Sequence, residues 1–293
     1  MKKSARLIFF GTEDFSCQSL AMLLEAGWNV LAVVTKADTR SGRGQRHTLA
    51  PVKELAIKHT MPVLQPQHIS EIDRELAIFS PTHGVLVSYG AIIPKTIIDL
   101  FPGGIINLHP SLLPLYRGPS PIETVILNGE EQTGLSLMKL SLKMDAGPVY
   151  SQKNVSLSGQ ENQITLSTRL ASLGGQFLVE NLQQITNESL SPMPQKEEKA
   201  SYTKLLKKED GMIDWSLPAK TYERQVRAYI KYPRSRVRLG EHEVIITKAR
   251  IAANAKDGYL IKQCRPGWLE LVEVIAPSGR LMSGADFLRG YKI

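Results

Sequence analysis

The sequence predicts an α/β fold: a doubly wound, mostly parallel sheet, followed by a smaller β-rich, barrel-like (OB-like) C-terminal domain. Three observations predict it. Up to about residue 188, short continuous apolar runs alternate with segments of helical period, as in a sheet covered on both faces. Residues 189–207 then break the pattern with serines, prolines and a charge run. Beyond about 235, short β-like runs recur between Gly, Asn, Asp and Pro. The expected domains are therefore 1–188, a linker 189–207, and 208–293.

Leu7–Phe10 is an apolar run stopped by Gly11 and reads as a buried strand. Phe15 to Ala26 has helical spacing at Phe15, Leu20, Leu23 and Leu24, and Gly27 ends it. Val30–Val34 is a second strand. Pro51 to His59 is a helix candidate, Met61–Leu64 a weak strand, and Glu71 to Phe79 another helix. Gly84–Val87 and Ile105–Leu108 are strands, separated by a short helix over Ile93–Leu100 that Pro94 opens. Leu135–Leu140 and Val149–Leu157 are further strands. Asn162 to Ile185 is a long helix with Leu166, Leu170, Leu173, Phe177 and Leu182 on its apolar side. In the last part, Ser216 caps a helix with Pro218 in its first turn, and Val244–Ile246, Tyr259–Ile261 and Leu269–Ile275 are strands.

Composition excludes several classes. Apolar residues make up 42% of the 293, which fits a globular chain and not a disordered one. No run of about 18 apolar residues suggests a membrane span. Two cysteines, Cys17 and Cys264, cannot build a disulfide framework, so a reducing cytoplasm is the expected compartment. The net charge of +8 is uneven. Residues 1–195 hold 16 basic and 16 acidic residues, whereas 196–293 hold 20 and 12. A neutral part and a basic part suggest two domains with different partners.

In an open α/β sheet, ligands bind outside the carboxyl ends of the strands. That rule selects Gly11-Thr12, the segment after Thr35, Tyr89-Gly90 and the run from His109. Asn107 and His109 are two apart at a strand end, so both can point to one face. Asp145 stands between an apolar run and an Ala-Gly-Pro turn. An amide, an imidazole and a carboxylate without a nucleophilic Ser or Cys signature suit direct transfer assisted by acid/base and oxyanion groups. No residue spacing suggests a metal site, so no metal is expected. Neither GxGxxG nor GxxxxGK[ST] is present to support a nucleotide cofactor.

The stretch Asn107-Leu108-His109-Pro110-Ser111-Leu112-Leu113-Pro114, with Tyr116-Arg117-Gly118-Pro119-Ser120-Pro121-Ile122, resembles the signature of the folate-dependent formyltransferases. Phe10 to Phe15, Val87 to Gly90, Met138 to Gly147, Ile213-Asp214-Trp215 and Asp286 to Gly290 extend the resemblance over the whole chain. The chain departs from the family at Glu13, Pro110, Ser141, Ala146 and Tyr232. The resemblance implies transfer of the formyl group of 10-formyltetrahydrofolate to a primary amine. It places the formyl carbonyl on Asn107, the developing oxyanion on His109, and the orienting and proton-removing role on Asp145. It also implies a folate pocket lined by Ser111, Leu112, Leu113 and Pro114, with Tyr89 and Ile93 nearby.

Charge then discriminates between acceptors. Lys36, Arg40, Arg43, Arg46 and Lys53 stand against Asp38 in a loop beside the expected site. From Lys220, a helix would carry Tyr222, Val226, Tyr229 and Ile230 on one face and Lys220, Arg224, Arg227 and Lys231 on the other. Residues 220–238 hold seven basic residues and one acid, Glu223. Such a face suits a phosphate backbone. Of the acceptors that the resemblance implies, a methionyl-tRNA, an amino-sugar nucleotide or a small ribonucleotide amine, the charge favours the first, so the expected partner is the initiator methionyl-tRNA, bound by a monomer through Lys36, Arg40, Arg43, Arg46, Lys220, Arg224, Arg227 and Lys231. An amino-sugar nucleotide is the alternative acceptor.

Overall fold

The computed structural model describes residues 5–41 and 46–292. In chain order the elements are β1 (Arg6–Gly11), α1 (Asp14–Glu25), β2 (Asn29–Val34), β3 (Thr39–Ser41), β4 (Arg46–Thr48), α2 (Pro51–Lys58), β5 (Val63–Leu64), α3 (Asp73–Ile78), β6 (His83–Val87), α4 (Lys95–Ile98), β7 (Ile105–His109), α5 (Pro121–Asn128), β8 (Gln132–Lys139), β9 (Val149–Ser156) and α6 (Gln163–Thr186). They continue with α7 (Ala219–Ala228), β10 (Ser235–Leu239), β11 (His242–Ala252), β12 (Ile261–Gln263), β13 (Trp268–Ile275), β14 (Leu281–Ser283) and α8 (Gly284–Gly290). Two compact units result. The first comprises the described residues up to 119 with 133–155 and 167–202; the second comprises 120–132, 156–166 and the described residues from 203 on.

The first unit is built on a seven-stranded sheet ordered β5-β2-β1-β6-β7-β8-β9. Leu7, Ile8, Phe9 and Phe10 of β1 are fully buried, as a continuous apolar strand in a covered sheet must be. β1 pairs in parallel with β2 on one side and β6 on the other, and β6 pairs in parallel with β7. The chain therefore runs outward in opposite directions from β1 and β6. This is a topological switch point, and in open α/β sheets ligands bind there, outside the strands' carboxyl ends. β8 turns antiparallel on β7, setting Met138 opposite Asn107 and Ser136 opposite His109.

The second unit holds an antiparallel, curled sheet ordered β10-β11-β13-β12, with β14 also on β13. Its core gathers Tyr222 and Val226 of α7, Phe287 of α8, and Val237, Val244, Leu269 and Leu271 of the strands. α5 belongs here too. Its last carbonyl, on Asn128, accepts from Arg224 Nη1 at 2.9 Å, and Gly129 ends the helix with φ of 65°. That left-handed φ favours glycine, and the Arg224 guanidinium packs directly over the position.

The fold class matches the prediction, with local differences. α5 was not anticipated, although Pro121 in its first turn and Gly129 past its end signal it. The expected helix over 71–79 divides into a 3₁₀ turn, Ile69–Ile72, and α3. The helix expected from Ile93 begins only at Lys95, because Pro94 is its cap rather than its interior. Ser216 does not cap α7: Pro218 holds that position, and the Ser216 hydroxyl donates to Asp214 at 2.6 Å. Asp214 also accepts the Tyr222 hydroxyl at 2.5 Å, and these bonds, Ser216's first, pull its pKa down to about 2. No described helix is long and apolar enough to cross a membrane.

His83, at the start of β6, is buried, with Nδ1 3.1 Å from the Thr82 hydroxyl. Burial pushes its pKa below the ordinary 6.5. The unfolded chain then binds a proton that the folded chain refuses. Stability from this residue is present above about pH 6.5 and is lost as pH falls toward the lower folded value. The urea midpoint should fall between pH 7.5 and 5, and fall less steeply in His83→Gln. Equal slopes in the two proteins would contradict this.

Candidate active site

The carboxyl ends of β1 and β6 are tied together. The Thr12 amide donates to the Ser88 carbonyl at 3.2 Å, and the Thr12 hydroxyl to the Tyr89 carbonyl at 3.0 Å. The Ser88 hydroxyl donates to Glu13 at 3.2 Å, so one departure from the family pattern has a local partner. Beside them, the end of β7 presents Asn107 and His109 on one face. Both are only 5% exposed. Polar groups buried to that degree need partners.

They face Asp145. Asn107 Nδ2 lies 3.5 Å from Asp145 Oδ1, and His109 Nδ1 lies 3.8 Å from Oδ2. His109 Nε2 is 3.0 Å from the Tyr116 carbonyl. A carbonyl only accepts, so Nε2 carries a proton and Nδ1 is the atom that faces the carboxylate. The Gly118 amide donates to Asp145 Oδ2 at 2.7 Å and fixes that oxygen. Asp145 itself sits at φ of 47°, an uncommon position for a residue with a Cβ. The trio thus brings an amide donor, an imidazole and a carboxylate together. That is a donor set for polarising a carbonyl and moving a proton beside it.

The loop after β7 is built around Ser136 of β8. Its hydroxyl donates to the Ser111 carbonyl at 2.6 Å and accepts from the Leu113 amide at 3.1 Å and Gln152 Nε2 at 2.8 Å. Gln152 Nε2 also reaches the Leu113 carbonyl at 2.8 Å, and Ser111 Oγ the Leu115 carbonyl at 2.6 Å. Ser111 and Leu113 are buried, while Leu112 and Pro114 are half-buried. Tyr89 and Ile93 are buried in the apolar core with Phe10, Ile97 and Phe101. Burial raises the Tyr89 hydroxyl to about 12.

A segment that sequence reasoning took for a linker completes the site. Arg117 has no solvent exposure. Its Nε and Nη2 donate to Gln195 Oε1 at 3.1 and 2.9 Å, and its Nη1 to Glu197 and the Tyr202 hydroxyl, each at 2.9 Å. Gln195 Nε2 in turn donates to the Asp145 carbonyl at 2.8 Å and the Gly147 carbonyl at 2.7 Å. Nothing in the residue pattern around Gln195 marks this role. Arg117, the one Lys, Arg, Asp or Glu within residues 107–122, was the available signal for its partner.

The expected basic residues fall into different situations. Lys36 is exposed, with its ammonium beside Gly90. Lys53 pairs with Asp38 at 2.6 Å. Arg40 and Arg46 lie on the β3–β4 hairpin, opposite His47 and Ser41, and Arg43 lies outside the described residues. On α7, Lys220 is exposed, as is Lys231 just beyond it. Arg224 caps α5. Arg227 is bidentate to Glu223 at 2.7 and 3.0 Å and donates to the Glu161 carbonyl at 2.6 Å. The face expected to be freely basic therefore has two of its guanidiniums engaged by the protein. Within the second unit, Lys220, Lys248 and Arg250 line a cleft of about 890 Å³ together with Glu130 and Glu131.

Comparison with known proteins shows the family. Residues 2–182 match the Formyl transferase family, and residues 205–292 match the Formyl transferase, C-terminal domain family. The chain belongs to the formyl transferase family. A methionyl-tRNA formyltransferase of Chloroflexus aggregans is 39% identical over 299 residues, covering 97% of each chain. Among solved structures, the methionyl-tRNA formyltransferase from Clostridium thermocellum superposes with a TM-score of 0.60 at 15% identity, over 96% of this chain and all of that one. An N-formyltransferase from Helicobacter canadensis, in complex with folinic acid and dTDP-3-aminofucose, gives a TM-score of 0.68 at 18% identity, over 90% of this chain and 98% of that one. Both structural matches report the fold.

Ser136→Ala removes one hydroxyl, leaves the buried Ser111 carbonyl and Leu113 amide each short of a partner, and takes one contact from the exposed Gln152. The expected loss is about 2–4 kcal/mol of stability, read as a lower urea midpoint. An unchanged midpoint would contradict the central place given to Ser136.

Proposed function

We propose that this chain transfers the formyl group of 10-formyltetrahydrofolate to the α-amine of initiator methionyl-tRNA. The observation that carries the acceptor is the match, over nearly the full length of both chains, to curated relatives of that name. The chemistry rests on the convergence of Asn107, His109 and Asp145 beside the switch point.

The donor supplies a formyl carbonyl on a nitrogen leaving group. The residues present suit it: the Asn107 amide offers N–H toward a carbonyl oxygen, and the Ser111–Pro114 loop is held as a rigid wall by Ser136 and Gln152. As the amine adds to the carbonyl carbon, negative charge moves to the oxygen. Asn107 and His109 are the groups placed to stabilise it, in a site largely out of water where such bonds are strongest. His109 must then exchange one of its protein contacts for the oxygen. The reaction removes one proton from the amine and delivers one to the departing nitrogen. Asp145 is the base in reach of that transfer, its carboxylate held by the Gly118 amide.

The acceptor side is read from charge. Lys36, Arg40, Arg43 and Arg46 follow β2 in the sequence, and Lys36 lies just past the carboxyl end of that strand. Lys220 and Lys231 are the exposed cations of the α7 region. Arg227 contributes field and framework, since its guanidinium is engaged by Glu223 and the Glu161 carbonyl, while Arg224 gives Nη1 to the Asn128 carbonyl. The proposed partner places the protein in the cytoplasm.

The test supplies the pure chain with 10-formyltetrahydrofolate and either charged initiator tRNA or amino-sugar nucleotides. Formyl-methionyl-tRNA is the expected product. Formylated sugar with unreacted tRNA would transfer the reading to the amino-sugar class. The KM for tRNA should rise about tenfold or more between 50 and 200 mM salt, because phosphate contacts release counterions. A salt-independent KM would contradict the basic grip.

A further inference from the structure

We propose that Gln195 is a positioning residue for formyl transfer: it holds the Asp145 loop in its reactive geometry and takes its own orientation from buried Arg117. The proposal deepens the functional reading above and rests on its assignment of Asp145.

Asp145 occupies a left-handed backbone position, uncommon for a residue with a Cβ. Two features pin it. At Gly147, a Cβ would stand 1.8 Å from the Lys139 carbonyl oxygen, so the turn is pressed against β8 and only glycine fits. From the other side, both N–H groups of Gln195 Nε2 are used, one on the Asp145 carbonyl and one on the Gly147 carbonyl. The amide thus spans the turn. A side-chain amide can flip, and a flipped Gln195 would offer an oxygen to two carbonyls. Arg117 prevents this by donating twice to Gln195 Oε1. Glu197 reinforces the arrangement: it accepts from Arg117 Nη1 and pairs with Lys143, two residues before Asp145.

The chemistry needs this precision. Asn107 and His109 sit on a β-strand and are fixed by the sheet. Asp145 sits on a turn, and a misplacement of about 1 Å in a reacting group can cost about 10²-fold in rate. Gln195 touches neither substrate in this reading. It acts through the backbone of Asp145, from a chain segment that follows α6 and continues at residue 203 into the second unit.

The test compares Gln195→Glu, Gln195→Leu, Asp145→Ala and the double variant Gln195→Leu/Asp145→Ala in the full chain. Gln195→Glu keeps an oxygen for Arg117 and removes both donors to the turn. Tetrahydrofolate binding and the KM for tRNA should stay within about twofold in both Gln195 variants, while kcat falls about 10- to 100-fold. If Gln195 acts through Asp145, the double variant is no slower than Asp145→Ala alone. Four results would overturn the proposal: kcat within twofold in Gln195→Glu, a loss carried by KM or folate binding, misfolding of both Gln195 variants, or multiplicative losses in the double variant. Near-normal turnover in Asp145→Ala is a separate result, and it would overturn the functional reading itself.

Discussion

A guanidinium sealed from water is the constraint on which the site depends. Arg117 lies in the loop after β7 and has no exposed surface. An unpaired charge there would be prohibitively costly, so every donor has to be met inside the protein. The partners are not near it in sequence. They are Gln195, Glu197 and Tyr202, some 80 positions later. Burying one cation therefore draws the chain after α6 back across the signature loop.

That return route has consequences. The Arg117 amide donates to the Ser201 carbonyl, the Ser201 amide to the Pro114 carbonyl, and the Ser201 hydroxyl accepts the Tyr116 amide at 2.9 Å. The loop that carries the Tyr116 carbonyl, partner of His109, is thus bolted to the same segment that carries Gln195, partner of the Asp145 turn. Glu197 carries a carboxylate pulled below the usual range, first by Lys143 and then by Arg117. Its exposure means that this pair orients more than it stabilises. These bonds tie together the framework around the residues proposed to meet the developing charge, and preorganisation of that kind lowers a barrier.

Much of the fold was legible because it follows from period and punctuation. Leu7–Phe10, Val30–Val34, Gly84–Val87 and Ile105–Leu108 announce buried parallel strands by being apolar without interruption. The candidate trio was legible through position, since Asn107 and His109 share one face at a strand end and Asp145 precedes a glycine turn. What remained hidden was non-local. Hydrogen bonds joining positions 117, 145 and 195 leave no periodicity, and a segment with two prolines and a charge run reads as a spacer whether or not it is held. The helix face of α7 shows the converse error. Its spacing is that of a solvated basic stripe, yet Arg224 and Arg227 are engaged by the Asn128 carbonyl, Glu223 and the Glu161 carbonyl. A helical wheel describes one helix and is silent about what packs beside it.

The account places the chemistry in three side chains acting as one unit, and that is open to direct measurement. Single-turnover formyl transfer would be compared for Asn107→Ala, His109→Ala, Asp145→Ala and the triple variant, with tetrahydrofolate binding measured on each. Groups that act together lose their effect together. The account predicts that each single variant binds tetrahydrofolate and loses about 10³-fold or more in rate, with the triple variant scarcely slower than the worst single one. A single variant that folds, binds tetrahydrofolate and keeps its rate within about threefold, or a triple loss equal to the product of the three, would contradict it.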